Sequence, residues 1–241
     1  MNERQIEYFN SNRLIPFTTH DDIMKLEKKY IEALAFITFM ASNTDFETIS
    51  EIGGFDGTSE IDDNNLYSYK IKKRSEININ GCSKYFGKHR NSITNYLNYL
   101  DHVAEYSNYL YINEIGEELL KIEYFNNDII YKLNHKAFNN GFYTKIDTDT
   151  LKKLIQINGT AIKLYLVIKY HYESCKKKGK VCELDMKYLA KKIGLNSISQ
   201  ISKTLEKMDN VVIKRKMKTK VSVNDLNKKS TPKSVYEYEV I

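Results

Sequence analysis

The chain has 241 residues, with 37 Lys and Arg against 31 Asp and Glu, for a formal net charge of +6. Hydrophobic residues make up 41% and charged residues 28%, which excludes intrinsic disorder as the default and suits a folded chain of one large or two smaller domains. Two Pro and ten Gly are too few for the turns of an all-β chain and favour helices.

The opening residues, Met1 to Gln5, have no apolar signal region, and the longest apolar run, Ala33 to Ala41, is half the length of a membrane span. Three cysteines, Cys82, Cys175 and Cys182, make no disulfide framework. A cytoplasmic protein with reduced thiols and no membrane partner is therefore expected.

In chain order, residues 1–18 read as an irregular N-terminal arm. Thr19 or Asp21 caps a helix whose stripe is Ile23, Leu26, Tyr30, Leu34, Ile37 and Ala41. Residues 43–75 are polar, with Thr48–Ile52 and Leu66–Ile71 as short strands able to pair. A helix over about Asn91–Asp101 follows the glycine of Tyr85-Phe86-Gly87. Alternating segments come next at Tyr109–Ile112, Leu119–Tyr124 and Asp128–Leu133, and Asn134–Gly141 connects two halves.

The second half begins with a strand at Phe142–Ile146 and a short helix through Ile155, capped by Thr148 or Asp149. Gly159-Thr160 opens a long helix with Ala161, Leu164, Tyr165, Ile168, Tyr172 and Cys175 on one stripe. Helices over Asp185–Ile193 and Ser197–Asp209 follow, then a strand starting at Val211, a basic segment Lys214–Lys233 and a final strand Ser234–Ile241.

The net charge conceals an asymmetry. Residues 1–135 hold 14 Lys and Arg against 21 Asp and Glu, a balance of −7. Residues 136–241 hold 23 against 10, a balance of +13. A basic half of this strength points to a polyanion, most often nucleic acid.

The two halves also repeat. Ile93, Leu97, Leu100 and Asp101 share their spacing with Ile201, Leu205, Met208 and Asp209, 108 positions later. Phe86-Gly87 matches Ile193-Gly194 at an offset of 107, which places one additional residue in the second turn. An offset of one domain length indicates two copies of one unit.

The unit resembles a winged helix-turn-helix. That family's pattern of Leu-Ala-x-x-apolar-Gly, a polar turn and a helix with a spaced apolar triplet is met by Leu189-Ala190-Lys191-Lys192-Ile193-Gly194. In the first copy Cys82 and Ser83 replace Leu-Ala, while Ile93, Leu97 and Leu100 keep the family spacing. The glycine permits a sharp turn at positive φ, and the triplet anchors the second helix with its polar face turned to the major groove. That face offers Asn196, Ser197, Ser199, Gln200 and Lys203 in the second copy, and Lys88, His89, Arg90, Asn91, Ser92, Thr94 and Asn95 in the first. Asn and Gln pair with adenine, Arg with guanine, and Ser or Lys with phosphates. In the wing, Lys214, Arg215, Lys216, Lys218 and Lys220 alternate along a strand and suit backbone phosphates. The first copy's wing holds Glu114, Glu117, Glu118 and Glu123 with only Lys121, an acidic surface that repels DNA.

Tandem winged helices of this length are similar to bacterial plasmid replication initiators. The resemblance implies an α+β, mainly helical fold of two tandem winged-helix domains, each with a small antiparallel wing sheet. The arm is 1–18, the acidic first domain 19–134 and the basic second domain 135–241. It implies binding of double-stranded DNA at origin repeats, chiefly by the second domain, homodimerisation through the first, and recruitment of host replication proteins. A transcription regulator of the same fold and a protein-interaction module are the alternatives.

No enzyme, cofactor or metal is expected. Gly81 to His89 has five residues between glycines and ends in His, so it is no phosphate-binding loop. His20, His89, His102, His135 and His171 are isolated. His171, Cys175 and Cys182 lack a fourth zinc ligand, and Asp56, Glu60, Asp62 and Asp63 lack an EF-hand register.

Overall fold

A computed structural model of the chain describes residues 14–18, 21–41, 69–114, 119–134, 143–220 and 233–241. It is an α+β fold, about 60% helical, with eight α-helices and two small three-stranded antiparallel sheets among the described residues. The order is β1 (Leu14–Thr18), α1 (Asp21–Lys25), α2 (Lys28–Ala41), β2 (Tyr69–Lys73), α3 (Ile79–Phe86), α4 (Arg90–Glu114), β3 (Leu120–Phe125) and β4 (Asp128–Asn134). Then come β5 (Tyr143–Asp147), α5 (Thr148–Ile157), α6 (Gly159–Lys177), β6 (Cys182–Leu184), α7 (Met186–Lys192), α8 (Ile198–Met208), β7 (Ile213–Lys220) and β8 (Lys233–Val240).

The order strand, helix, helix, strand, helix, helix, strand, strand occurs twice. So does the pairing, since the sheets run β2-β4-β3 and β6-β8-β7. At the centre of each repeat a glycine in the left-handed region ends the shorter helix, Gly87 at φ 58° and Gly194 at φ 69°. From glycine to the next helix is three residues in the first repeat and four in the second, the additional residue expected from the offsets. Ile93, Leu97 and Leu100 on α4, and Ile201, Leu205 and Met208 on α8, are all buried, so each triplet seats its helix on the core.

The repeats are joined by more than a linker. Leu14–Thr18, expected to lie in an irregular arm, pairs antiparallel with β5 from Leu14↔Asp147 to Thr18↔Tyr143. Pro16 breaks the strand pattern in sequence, yet a two-stranded ribbon is all edge and accommodates a missing donor, while Phe17 is fully buried. The short helix that opens each repeat docks on the turn of the other. A Cβ on Gly194 would meet the Lys25 backbone of α1 at 3.4 Å, and one on Gly87 would meet Gln156 of α5 at 3.8 Å. One apolar core runs through both repeats.

Other expectations shift with physical cause. The stripe from Ile23 to Ala41 is split at Leu26–Glu27 into α1 and α2. The helix expected over Asn91–Asp101 runs from Arg90 to Glu114 and takes in the alternating segment Tyr109–Ile112. No Gly or Pro occurs between Gly87 and Gly116 to stop it, and buried Val103 and Ala104 extend its apolar stripe. Thr48–Ile52 lies outside the described residues, and the described partner of β2 is β4. Strand β6, only three residues long, carries no sequence signal.

Caps mark the helix starts. Asp147, rather than Thr148 or Asp149, caps α5 by accepting from the Thr150 backbone at 2.8 Å. Replacing Asp147 with Ala leaves that N–H without its partner. The expected loss is about 1 kcal/mol in denaturant unfolding at neutral pH.

Candidate nucleic-acid interface

Helix α8 owes its start to Ser197, whose hydroxyl accepts from the Gln200 backbone at 3.3 Å. Its buried stripe of Ile201, Thr204, Leu205 and Met208 leaves the remaining faces outward. Asn196, Ser197, Ser199, Gln200 and Lys203 are all exposed, so the structure gathers the second-repeat candidates at the start of this helix. Ser197, Ser199, Gln200 and Lys203 line a shallow groove of about 350 Å³ together with Asn158, Thr204 and Lys207.

The far flank of α8 differs. Ser202 donates to Glu206 at 3.2 Å, and Glu206 lies 4.0 Å from the Arg215 guanidinium. Arg215 also approaches Asp209 at 3.6 Å, its backbone N–H donates to the same carboxylate, and it lies over the Tyr236 ring. Strand alternation turns Arg215 inward beside Ile213. It braces the hairpin on α8, unlike the outward lysines with which the sequence pattern groups it.

Lys214, Lys216 and Lys218 share the outer face of β7. Across the ladder, Lys214 stands opposite Glu239 and Lys216 opposite Glu237, and Lys218 forms an ion pair with Glu237. The Glu237 bond holds the Lys218 ammonium above its ordinary pKa. The outer face is thus a mixed ladder of cations and carboxylates, with Lys214 and Lys216 exposed. Lys220 pairs with Lys233 at the far end of the hairpin.

In the first repeat His89, Arg90, Asn91 and Asn95 are exposed around the start of α4, with Lys88 and Ser92 half-buried. The His89 ring accepts from the Asn91 backbone at 3.2 Å, and the Ser83 hydroxyl donates to the Lys88 carbonyl. These bonds hold the turn before α4 much as Ser197 holds the one before α8.

The acidic character expected of the first hairpin does not reach the described part of it. Glu123 pairs with Lys132 at 2.6 Å and Lys121 at 3.4 Å. Burial pushes the Glu123 pKa up, but the Lys132 hydrogen bond and both ammonium charges outweigh burial and hold it below the usual range. Asp128 accepts from the Ser75 hydroxyl and backbone, and that hydroxyl bond keeps its carboxyl low. Glu114 lies in α4, and residues 117 and 118 lie outside the described ones. The hairpin tip instead presents Tyr124, 74% exposed, and Phe125, 43% exposed, beside Asn126 and Asn127 at positive φ.

Three groove residues, Asn158, Thr204 and Lys207, escape the sequence pattern. Lys207 is four positions after Lys203 and seven after Gln200, so helical periodicity alone places it on their face. Asn158 comes from the α5–α6 junction, and only folding brings it there.

The His171 ring contacts the Tyr188 hydroxyl at 2.6 Å, and Cys182 is buried. Among the described residues, no group of three His, Cys, Asp or Glu side chains converges as a metal site would require, and no helix is long and apolar enough to cross a membrane. No protein-family model, curated protein or solved structure matches the chain.

Proposed function

We propose that the chain is a sequence-specific double-stranded DNA-binding protein of two tandem winged-helix units, acting as a plasmid or phage replication initiator. The observation that carries this reading is the repeated element order and strand pairing, with a glycine turn before a helix whose exposed N-terminal residues are Asn196, Ser197, Ser199, Gln200 and Lys203. A helix entering the major groove contacts bases through residues near its N-terminus, and Gln and Asn there can pair bidentately with adenine. The +13 balance of residues 136–241 supports phosphate contact by the second unit, with Lys214 and Lys216 on its wing. Lys88, His89, Arg90, Asn91, Ser92 and Asn95 form a weaker second reading surface.

Initiation sets this protein apart from a transcription regulator by its target: spaced origin repeats rather than a promoter operator. Exposed Tyr124 and Phe125 favour a protein-contacting role for the first unit, in a homodimer or with host replication proteins. The test is selection of bound sites from random duplexes, followed by a plasmid-maintenance assay. The double variant Gln200→Ala, Lys203→Ala is expected to lose about tenfold to a hundredfold in affinity for the selected site, the worth of one bidentate base contact. Unchanged binding by that variant sinks the recognition surface, and selected sites with no repeat favour the regulator.

A further inference from the structure

The groove beside α8 has a chemical composition of its own. Its lining holds two ammonium groups, Lys203 and Lys207, with Asn158, Ser197, Ser199, Gln200 and Thr204, and no carboxylate. Several of these side chains are oriented by bonds already made. The Asn158 Oδ1 accepts from the Ala161 backbone at 2.9 Å, so its Nδ2 is the end left to donate. Ser197 Oγ accepts from the Gln200 backbone, which leaves the hydroxyl proton to give. The Thr204 hydroxyl donates to the Gln200 carbonyl at 2.9 Å and is spent there. What remains is a concave set of donors flanked by two cations, reaching from Ser197 at the N-terminus of α8 to Lys207 in its last turn.

Resting on the DNA-binding reading above, we propose that this groove seats a backbone phosphate of the duplex, held by Lys203 and Lys207 with Asn158 and Ser197 as neutral donors. Two compact ammonium charges suit an anion with oxygens on several sides and carry little information about a base edge. The groove thereby fixes the register of α8 on the duplex. Asn196, which lies outside the groove, and the exposed side of Gln200 are left for bases. Lys207 and Asn158 become binding residues by this assignment, and Lys203 is a phosphate contact rather than a base contact.

Lys207 is exposed, so its replacement tests binding without disturbing the core. Affinity for a selected duplex and for a duplex of scrambled sequence is measured between about 50 and 200 mM salt for wild type, Lys207→Gln and Lys207→Arg. Loss of one phosphate contact lowers the salt slope by about 0.9. The advantage of wild type over Lys207→Gln therefore shrinks about 3.5-fold across that range, equally on both duplexes. Lys207→Arg keeps the wild-type slope. An unchanged slope for Lys207→Gln, or a loss confined to the selected duplex, overturns the phosphate assignment while leaving DNA binding in place. Failure of the wild type to bind either duplex overturns both.

Discussion

Gly159→Ala is expected to destabilise the fold by about 3 kcal/mol or more, the upper range for forcing one additional carbon into a packed site. The cause is the approach of two helix starts. A Cβ on Gly159 would lie 2.1 Å from the Lys28 carbonyl oxygen, 2.8 Å from its carbon and 2.9 Å from its Cα, all backbone atoms. Neither helix can yield easily. Helix α2 is buried from Ala33 to Ala41, and α6 from Gly159 to Ile168. The same contact positions Glu32, which accepts from the Gly159 N–H and from the Tyr96 hydroxyl, both at 2.7 Å. One carboxylate of α2 thus joins the start of α6 to the second turn of α4, and parting the helices strains both bonds. For a domain of this size the loss corresponds to a fall in Tm of about 6–12 °C. Gly179→Ala is the control: Gly179 has φ 62°, but nothing lies within 4 Å of its Cβ position. It is expected to cost about 1 kcal/mol from backbone conformation alone. Equal losses for the two variants would remove the steric argument.

The second large effect is a pH dependence centred on Lys163. This side chain is 4% exposed on α6, and its ammonium donates to the Leu26 carbonyl before α2 and, at 3.3 Å, to the Ile193 carbonyl at the end of α7. No ion pair reaches it among the described residues, so burial pushes its pKa down from 10.5 to about 8. The folded state therefore favours the neutral amine more than the unfolded chain does. Below pH 8 the fold bears the full cost of a buried charge, and that cost is relieved as pH rises towards 10.5. With 1.36 kcal/mol per unit, the window spans about 3 kcal/mol. The unfolding free energies of wild type and Lys163→Met are compared by urea titration at pH 7, 8, 9 and 10. Their difference is expected to move in favour of wild type by most of that amount across the window. Other lysines and the tyrosines titrate in both proteins and cancel, and the lost carbonyl bonds add only a constant. A difference that does not change with pH would show that Lys163 keeps an ordinary pKa.

These two sites explain why part of the molecule was hidden in the sequence. Gly159 reads as a helix opener, which it is, but the carbonyl that requires its missing side chain belongs to Lys28, on another helix. Lys163 falls off the stripe of Ala161, Leu164, Tyr165 and Ile168, where periodicity predicts a solvent-facing side chain, but α6 is buried on every side from Gly159 to Ile168. Its partners are two backbone carbonyls, which leave no trace in residue identity. Arg215 has the same lesson at the interface. Five alternating cations look equivalent along the strand, yet strand period places Arg215 inward against Asp209 and Lys214, Lys216 and Lys218 outward.

The parts that were legible are those governed by short-range rules. Periodicity located α6, α7 and α8 to within a residue or two, because one buried stripe per helix fixes the spacing. Gly87 and Gly194 identified the two turns because a left-handed residue there strongly favours glycine. Offsets of 107 and 108 revealed the repeat and even the longer second turn. Ser197 to Lys203 emerged as one surface for the same reason, since positions along one helix stay neighbours in any fold.

By itself, then, the sequence determined the helices of the second half, the glycine turns, the duplicated unit and the polar start of α8. Tertiary structure decided how the two copies are joined: β1 on β5, α1 and α5 exchanged between the turns, and Glu32 tied to both repeats. It also decided which cations are engaged, by bringing Glu123 to Lys132 and Arg215 to Asp209, and it added Asn158 to the α8 groove. The physical reason is the range of the forces. Helix period and backbone dihedral preference act within a few residues, whereas steric exclusion, ion pairing and burial depend on which distant segments are brought together.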